Sequence, residues 1–222
     1  GTGLLLSEVF DQVLGQTAQP AVLSGPSFAI EVAQRLPTAL TVAARNETVA
    51  DTVASWFRDN RTRVYTSADL SGVQLGGAIK NVMAIAAGIS DGLGFGANAR
   101  AALIARGLAE MSRLGVVLGG QIETFMGLTG MGDLILTCTD DQSRNRRVGL
   151  GLGKGKSKKD ILSEIGQEAE GINTTRELYR KSAVTAVEMP ITEQVYKVLF
   201  EDLDPTLAVT ALLSRQATTE NP

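Results

Sequence analysis

Lys80 is the residue whose sequence neighbours most favour a catalytic role. It is the only charged side chain between Asp69 and Asp91, in a segment of apolar and small residues. A helix of this composition is apolar on nearly all sides, which predicts burial. A buried ammonium group needs partners, and burial makes an amine easier to deprotonate, which suits proton transfer. Lys80 is therefore a candidate general acid and base, and the adjacent amide of Asn81 is a candidate ligand contact.

A purely structural interpretation of Lys80 is the alternative. A lysine on a core helix can extend its amine to the surface along its apolar stem. The small residues Gly76 and Gly77 favour the functional interpretation, because they allow a ligand to approach the helix backbone closely.

A second candidate site runs from Asp133 to Arg147. Asp133 stands alone in an apolar stretch, whereas residues 143–147 combine three guanidinium groups with a hydroxyl and an amide at the predicted start of a helix. Guanidinium groups, free backbone N–H groups and the helix dipole all favour an anion, so this segment predicts a phosphate site. The alternative is a solvated basic turn capped by Asp140 or Asp141.

Three glycine-containing turns carry weaker signals. Residues 21–29 predict a strand end, a turn and a helix start, which Pro26 explains without any function, although such turns often bind ligands in α/β proteins. Gly149–Ser157 ends like a phosphate-binding loop, but Leu150 stands where the first glycine belongs, so we predict an exposed basic loop. Gly92–Gly96 lacks the spacing of a dinucleotide-binding motif, so we predict a turn between helices.

Composition narrows the possible functions. The 222 residues are 44% hydrophobic and 20% charged, and the formal net charge of -3 disfavours a general nucleic-acid or anionic-membrane binder. Without histidine the chain has no imidazole catalyst and no His-ligated zinc, and the single Cys138 cannot form an internal disulfide. We expect no metal, no nucleic-acid partner, no membrane insertion and a cytoplasmic location. Any proton transfer falls to Lys, Asp or Glu.

The pattern of predicted elements changes near residue 67. Before it, helices alternate with short apolar strands, as in an α/β layer, and after it the strand-like runs disappear. Asp69 and Asn98 are predicted helix N-caps, and Gly115 and Gly119 are predicted helix ends. The predicted strands are 21–23, 38–44 and 63–66, and the predicted long helices are 4–14, 27–34, 47–58, 70–89, 97–118, 144–153, 174–182 and 192–200.

Taken in order, six segments of the chain resemble the NAD(P)-dependent glycerol-3-phosphate dehydrogenases. They are Ser24–Phe28, Val73–Val82, Gly94–Arg100, Arg106–Met111, Gly132–Thr139 and Gln142–Arg146, and the similarity continues to Met189–Thr192. The resemblance implies a mainly α chain with two parts. Residues 1–67 would be the C-terminal remnant of a Rossmann-type α/β dinucleotide-binding domain. Residues 68–222 would be an all-α substrate domain like the C-terminal domain of 6-phosphogluconate dehydrogenase.

The same resemblance implies an activity and a set of site residues. The family interconverts dihydroxyacetone phosphate and sn-glycerol 3-phosphate with NAD or NADP, which supplies phospholipid synthesis, and a homodimer is one assembly compatible with it. Lys80 matches the catalytic lysine. The matched substrate positions are Gly25, Ser27, Lys80, Asn81, Asp133, Thr137, Ser143, Arg144 and Asn145. The matched cofactor positions are Ala29, Arg144, Glu168 and Glu170.

The chain also departs from the family pattern. It has neither the opening strand nor the Gly-x-Gly-x-x-Gly turn, so we expect a fragment that is inactive alone. Two other functions stay open at this point: a β-hydroxyacid or 6-phosphogluconate-type dehydrogenase, and a catalytically silent helical binding or dimerisation module. The cluster at Ser143–Arg146 favours the glycerol-3-phosphate enzyme over the related dehydrogenases.

Overall fold

Three short strands near the N-terminus form one sheet. The computed structural model describes residues 3–15 and 17–215. The elements before residue 68 are α1 (Leu6–Leu14), β1 (Ala21–Ser24), α2 (Ala29–Ala33), β2 (Thr38–Ala44), α3 (Glu47–Phe57) and β3 (Thr62–Ser67). Strand β2 is central, antiparallel to β1 and parallel to β3. The predicted alternation of helices and strands is confirmed, and each strand end lies within one residue of its predicted position.

Beyond Ser67 the described chain forms helices and no further strand. They are α4 (Leu70–Gly92), α5 (Gly96–Val117), α6 (Ile122–Met126), a π-helical turn (Leu128–Gly132), α7 (Asp133–Thr139), α8 (Arg144–Gly153), α9 (Lys158–Ile165), α10 (Glu170–Thr185), α11 (Pro190–Phe200) and α12 (Pro205–Leu213). The predicted fold class, an α/β remnant followed by a helical domain, is confirmed. The turn predicted at residues 92–96 also lies where expected, between α4 and α5.

Helix α4 is the central helix of the core. Residues 82–90 are all buried, and α5, α7, α8 and α10 pack around them. The helix is long and apolar enough to cross a membrane, but most of its surface is covered by the other helices of the domain. Its predicted N-cap is confirmed, because the Asp69 carboxylate accepts hydrogen bonds from the backbone N–H groups of Gly72 and Gln121, each at 2.8 Å.

Two predicted ends of α5 are wrong. Asn98 lies inside the first turn, and Phe95 occupies the N-cap position instead. Gly115 lies within the helix, where a Cβ atom would overlap the ring of Phe125. The glycine therefore serves side-chain packing and does not end the helix. Gly119, with φ at +91°, does follow the last turn, as predicted.

Helices α4 and α8 touch through four glycines, which we call the glycine seam: Gly88 and Gly92 on α4, and Gly149 and Gly153 on α8. A Cβ atom on Gly149 would overlap the backbone of α4, and one on Gly88 would overlap the backbone of α8. Only glycine permits so close an approach. Residues 149–153 are helical, which confirms the predicted helix 144–153 and makes the predicted exposed loop wrong there, whereas residues 154–157 are exposed as predicted.

A buried carboxylate ties α5 to the start of α11. Glu110 is 1% exposed and accepts hydrogen bonds from the backbone N–H groups of Ile191 at 2.6 Å and Thr192 at 3.3 Å. Burial raises the pKa of Glu110 to about 7, although these hydrogen bonds favour the charged form and oppose the shift. The carboxyl group therefore changes charge near neutral pH inside the helical core.

We expect Glu110 to make the protein less stable as the pH rises. A carboxyl group whose pKa increases on folding, here from 4.5 to about 7, binds more protons in the folded state. Its contribution to the free energy of unfolding is complete below pH 4.5 and is lost as the pH rises through about 7. The total loss is roughly 3 kcal/mol. The Glu110→Gln variant cannot titrate and should lack this dependence.

Urea unfolding of both proteins at about pH 5, 6, 7 and 8 measures the effect. The wild type should lose free energy of unfolding relative to Glu110→Gln across this series. A difference between the two proteins that stays constant with pH would show that Glu110 does not titrate in this range.

Candidate functional site

One cavity brings together most of the predicted site residues. It has a volume of about 530 Å³ and lies among the end of β1, the middle of α4, α7, and the starts of α8 and α10. The predicted residues that line it are Gly25, Ser27, Ala29, Lys80, Asn81, Asp133, Thr137, Ser143, Arg144, Asn145 and Glu170. Glu168 is exposed and does not line it. Segments far apart in sequence thus meet at one place.

An ion pair between Lys80 and Asp133 occupies the inner part of this cavity. The Lys80 side chain is 19% exposed and that of Asp133 is 4% exposed, so both charges are largely removed from solvent. The Lys80 ammonium donates a hydrogen bond to the carboxylate. The Thr137 hydroxyl donates to the Asp133 carbonyl oxygen at 2.6 Å and lies 3.3 Å from the other carboxylate oxygen. These contacts fix the direction in which Lys80 points.

Burial shifts the pKa of the carboxyl group in this pair. It raises the pKa of Asp133 above its ordinary value, and the nearby Lys80 charge and the Thr137 hydroxyl act in the opposite direction. Burying two charges costs free energy unless they are paired and hydrogen-bonded. A paired lysine that stays partly open to a cavity is a typical arrangement for proton transfer to a ligand.

An amide network joins three helices behind the ion pair. Asn145 of α8 donates from its side chain to the side-chain oxygen of Asn81 on α4 at 3.0 Å, and its own side-chain oxygen accepts from the backbone N–H of Gly171 at 2.9 Å. Asn81 in turn donates to the Gly77 carbonyl oxygen at 3.2 Å. The starts of α8 and α10 are therefore held in a fixed position relative to Lys80.

Only two of the three clustered guanidinium groups face the cavity. Arg144 and Arg147 line it, whereas Arg146 is buried behind it and pairs with Asp91 at 2.5 Å and Asp141 at 2.9 Å. The prediction that all three surround an anion is therefore wrong for Arg146. Its role is structural, because it ties the start of α8 to the end of α4.

Arg144 lies at the rim of the cavity, where its side chain contacts two residues near the start of α10. Its guanidinium donates to Glu170 at 2.6 Å and to Gln167 at 3.2 Å. Ser143 is the N-cap of α8, since its hydroxyl oxygen accepts from the Arg146 N–H at 3.2 Å. The segment is therefore a capped helix start and not the solvated basic turn considered as the alternative. Its first helical side chain, Arg144, lies over the cavity.

The turn after β1 closes the opposite side. Gly25 has φ at +136°, a conformation that disfavours a side chain, and the Ser27 hydroxyl donates to the Gly25 carbonyl oxygen at 2.9 Å. This turn approaches α4 closely, because a Cβ atom on Gly77 would lie 3.1 Å from the Ser24 hydroxyl. Gly77, one of the two glycines that suggested room for a ligand, therefore also serves the contact between the sheet and α4.

Four further residues line the cavity without having been assigned a role there from the sequence. They are Phe28, Leu136, Gln142 and Gln167. Helical spacing offers a signal for one of them, since residues three or four apart share one face and Leu136 follows Asp133 by three. Gln167 lies in the connection between α9 and α10, where no period exists to place it.

Comparison with known proteins agrees with this architecture. A family model described as NAD-dependent glycerol-3-phosphate dehydrogenase C-terminus matches residues 69–210, and one described as the N-terminus of the same enzyme matches residues 1–50. The glycerol-3-phosphate dehydrogenase [NAD(P)+] of Mannheimia succiniciproducens is 55% identical over 99% of this chain, and that of Thioalkalivibrio sulfidiphilus is 58% identical over 96%. The chain spans 66% and 64% of the length of these relatives.

A solved structure supports the same assignment. The crystal structure of glycerol-3-phosphate dehydrogenase from Coxiella burnetii superposes with a TM-score of 0.93 at 52% identity, over 96% of this chain and 65% of that one. The matches place this chain, a short α/β part followed by a helical part, among the dehydrogenases. The chain belongs to the NAD-dependent glycerol-3-phosphate dehydrogenase family, as its sequence motifs predicted.

Proposed function

We propose that the protein to which this chain belongs interconverts dihydroxyacetone phosphate and sn-glycerol 3-phosphate with NAD or NADP. The observation that carries the proposal is one cavity with the buried Lys80–Asp133 pair at its inner end and Arg144 at its rim. A small phosphorylated ketone fits such a cavity, with its carbonyl group at Lys80 and its phosphate group at Arg144. The family match favours this function over a β-hydroxyacid dehydrogenase or a silent binding module.

In this proposal Lys80 moves the proton. Its Nζ donates a proton to the C2 oxygen as dihydroxyacetone phosphate is reduced, and it removes that proton when glycerol 3-phosphate is oxidised. The ammonium group stabilises the negative charge that develops on the oxygen in the transition state. Asp133 and Thr137 orient Lys80, and the Asn81 amide lies beside it on the same helix.

Arg144 binds the substrate phosphate in this proposal. A guanidinium group offers two parallel N–H donors, which match two oxygens of a phosphate. Ser143 and Asn145 flank it at the start of α8, where the helix dipole adds favourable potential. Gly25 and Ser27 border the substrate from the side of the sheet.

The residues around the rim also fit a nicotinamide cofactor. A cavity with guanidinium groups for phosphates and the Glu170 carboxylate for hydroxyl or amide groups has the required donors and acceptors. When bound, the nicotinamide supplies the hydride to C2 in reduction and accepts it in oxidation. Ala29, Arg144 and Glu170 would hold it from this chain, with the exposed Glu168 as a further contact outside the cavity.

The decisive test is an assay with a complete nucleotide-binding domain. The N-terminal segment of the Mannheimia relative would be joined to this chain, and oxidation of NADH or NADPH would be followed spectrophotometrically. We expect oxidation that depends on dihydroxyacetone phosphate and is not seen with acetone or with a β-keto acid. A folded protein without any such dependence would refute the proposed function.

The proposal extends to the organisation and location of the enzyme. The boundary near residue 67 separates a nucleotide-binding domain from a substrate domain, and the enzyme works in the cytoplasm to supply phospholipid synthesis.

We also propose that the enzyme forms a homodimer. A second cavity of about 1310 Å³ beside α5 and α12 supports the dimer, because the exposed apolar residues Phe95, Val117 and Leu213 line it. Sedimentation of the joined protein as a monomer at micromolar concentration would refute the dimer.

A further inference from the structure

We propose that the Arg144–Glu170 ion pair is an exchangeable latch. An incoming phosphate group takes Arg144 from Glu170 and so frees the Glu170 carboxylate for the cofactor. The inference rests on the proposed function, because it takes the substrate phosphate as the ligand of Arg144. It adds a mechanism by which the binding of one ligand assists the binding of the other.

Arg144 is already occupied by contacts within the chain. Its two terminal nitrogens donate to Glu170 at 2.6 Å and to Gln167 at 3.2 Å, and all three residues line the cavity. The guanidinium fork that would bind a phosphate is therefore neutralised by a carboxylate from the start of α10. A phosphate that binds in bidentate fashion to these same N–H groups can do so only if these contacts open.

The backbone around the latch is fixed. Gly171, next to Glu170, donates from its backbone N–H to the buried side chain of Asn145, next to Arg144, at 2.9 Å. A Cβ atom on Gly171 would lie 2.7 Å from the Asn145 side-chain oxygen, so the two helix starts are in tight contact. The latch therefore opens by rotation of the two side chains and not by separation of α8 from α10.

The side chains have room to rotate, and the pair is weak enough to exchange. The Arg144 side chain is 36% exposed and that of Glu170 is 52% exposed. Exposed ion pairs stabilise proteins little, whereas a phosphate carries up to two charges and accepts two parallel hydrogen bonds from one guanidinium. The exchange therefore favours the phosphate once it enters the cavity.

A second guanidinium group can attract the phosphate before the latch opens. Arg147 lines the same cavity, and within residues 3–15 and 17–215 it makes no ion pair. After the exchange, Glu170 is free to accept hydrogen bonds from hydroxyl or amide groups of the cofactor. Because binding free energies are linked, the cofactor must in turn assist phosphate binding by the same factor.

Calorimetric titration of the 222-residue chain with inorganic phosphate tests the latch without any turnover. Glu170→Gln removes the competing carboxylate, and Glu170→Asp keeps the charge but is shorter by one carbon, which should weaken its contact with Arg144. Both variants should bind phosphate roughly two- to five-fold more tightly than the wild type. Glu164→Gln, which breaks an exposed ion pair with Lys156 outside the cavity, is the matched control and should leave the affinity unchanged.

Two outcomes overturn the latch and leave the phosphate site intact. One is equal affinity in the wild type and Glu170→Gln; the other is tighter binding with Gln but not with Asp, which indicates simple charge repulsion. Arg144→Met separates the two proposals, because it should weaken phosphate binding at least about ten-fold. If Arg144→Met binds phosphate like the wild type, or if no protein binds it, the phosphate site itself is wrong and the latch is overturned with it.

Discussion

Replacement of Lys80 by Met in the joined protein should reduce the rate of NAD(P)H oxidation with dihydroxyacetone phosphate by roughly 10²–10⁴-fold. Methionine keeps an unbranched apolar stem that is only one atom shorter than the lysine side chain, but it cannot donate a proton or carry charge. The loss should appear mainly in kcat, because the ammonium group interacts most strongly with the charge that develops on the C2 oxygen in the transition state.

A matched control separates proton transfer from a change in net charge. Lys159 is exposed on α9 and does not line the cavity, so Lys159→Met removes the same charge without touching the site. It should retain the activity of the wild type. A Lys80→Met protein that keeps more than about a tenth of the wild-type kcat while folded would rule out Lys80 as the positioned acid and base.

The largest loss of stability should come from Arg146→Met. The Arg146 side chain is 8% exposed, and its removal leaves the Asp91 carboxylate, 9% exposed, with Arg100 as its remaining ionic partner at 2.7 Å. Removal of one member of a buried ion pair leaves an incompletely paired charge, which costs about 3 kcal/mol or more. The contact of Arg146 with the Cys138 carbonyl oxygen is lost as well.

Urea unfolding at pH 7 measures this loss directly. Arg147→Met is the neighbouring control, because Arg147 is exposed, and its free energy of unfolding should stay within about 0.5 kcal/mol of the wild type. Equal stabilities of the Arg146 and Arg147 variants would mean that the buried pair does not hold α8 to α4.

The contrast between these two arginines shows what the sequence can and cannot determine. It identifies a cluster of guanidinium groups at a helix start, and helical spacing places residues 144 and 147 on a common face. It does not reveal that the Asp91 carboxylate lies behind the cluster, because that contact joins residues 55 positions apart. Which guanidinium faces a ligand and which forms a buried pair is therefore decided by tertiary packing.

The helices also divide into those that the sequence could predict and those that it could not. Long helices such as α4 and α8 were predictable because their composition and spacing extend over several turns. Helix α6 and the π-helical turn are five residues each, too short for a period to show, yet they lie between α5 and the Asp133 of the site. Lys80 and Asp133 were predictable as two separate candidate site residues, but neither their ion pair nor the Arg144–Glu170 pair was predicted as a contact.

The glycine seam also fixes a spacing that bears on substrate size. Backbone-to-backbone contact at these glycines fixes the spacing of α4 and α8, and with it the spacing of the helix positions that carry Lys80 and Arg144. Under the proposed function, we expect a phosphorylated ketone with one additional carbon between carbonyl and phosphate to fit the two ends less well than dihydroxyacetone phosphate does. The ratio of its kcat/KM to that of dihydroxyacetone phosphate would measure how rigid the spacing of α4 and α8 is.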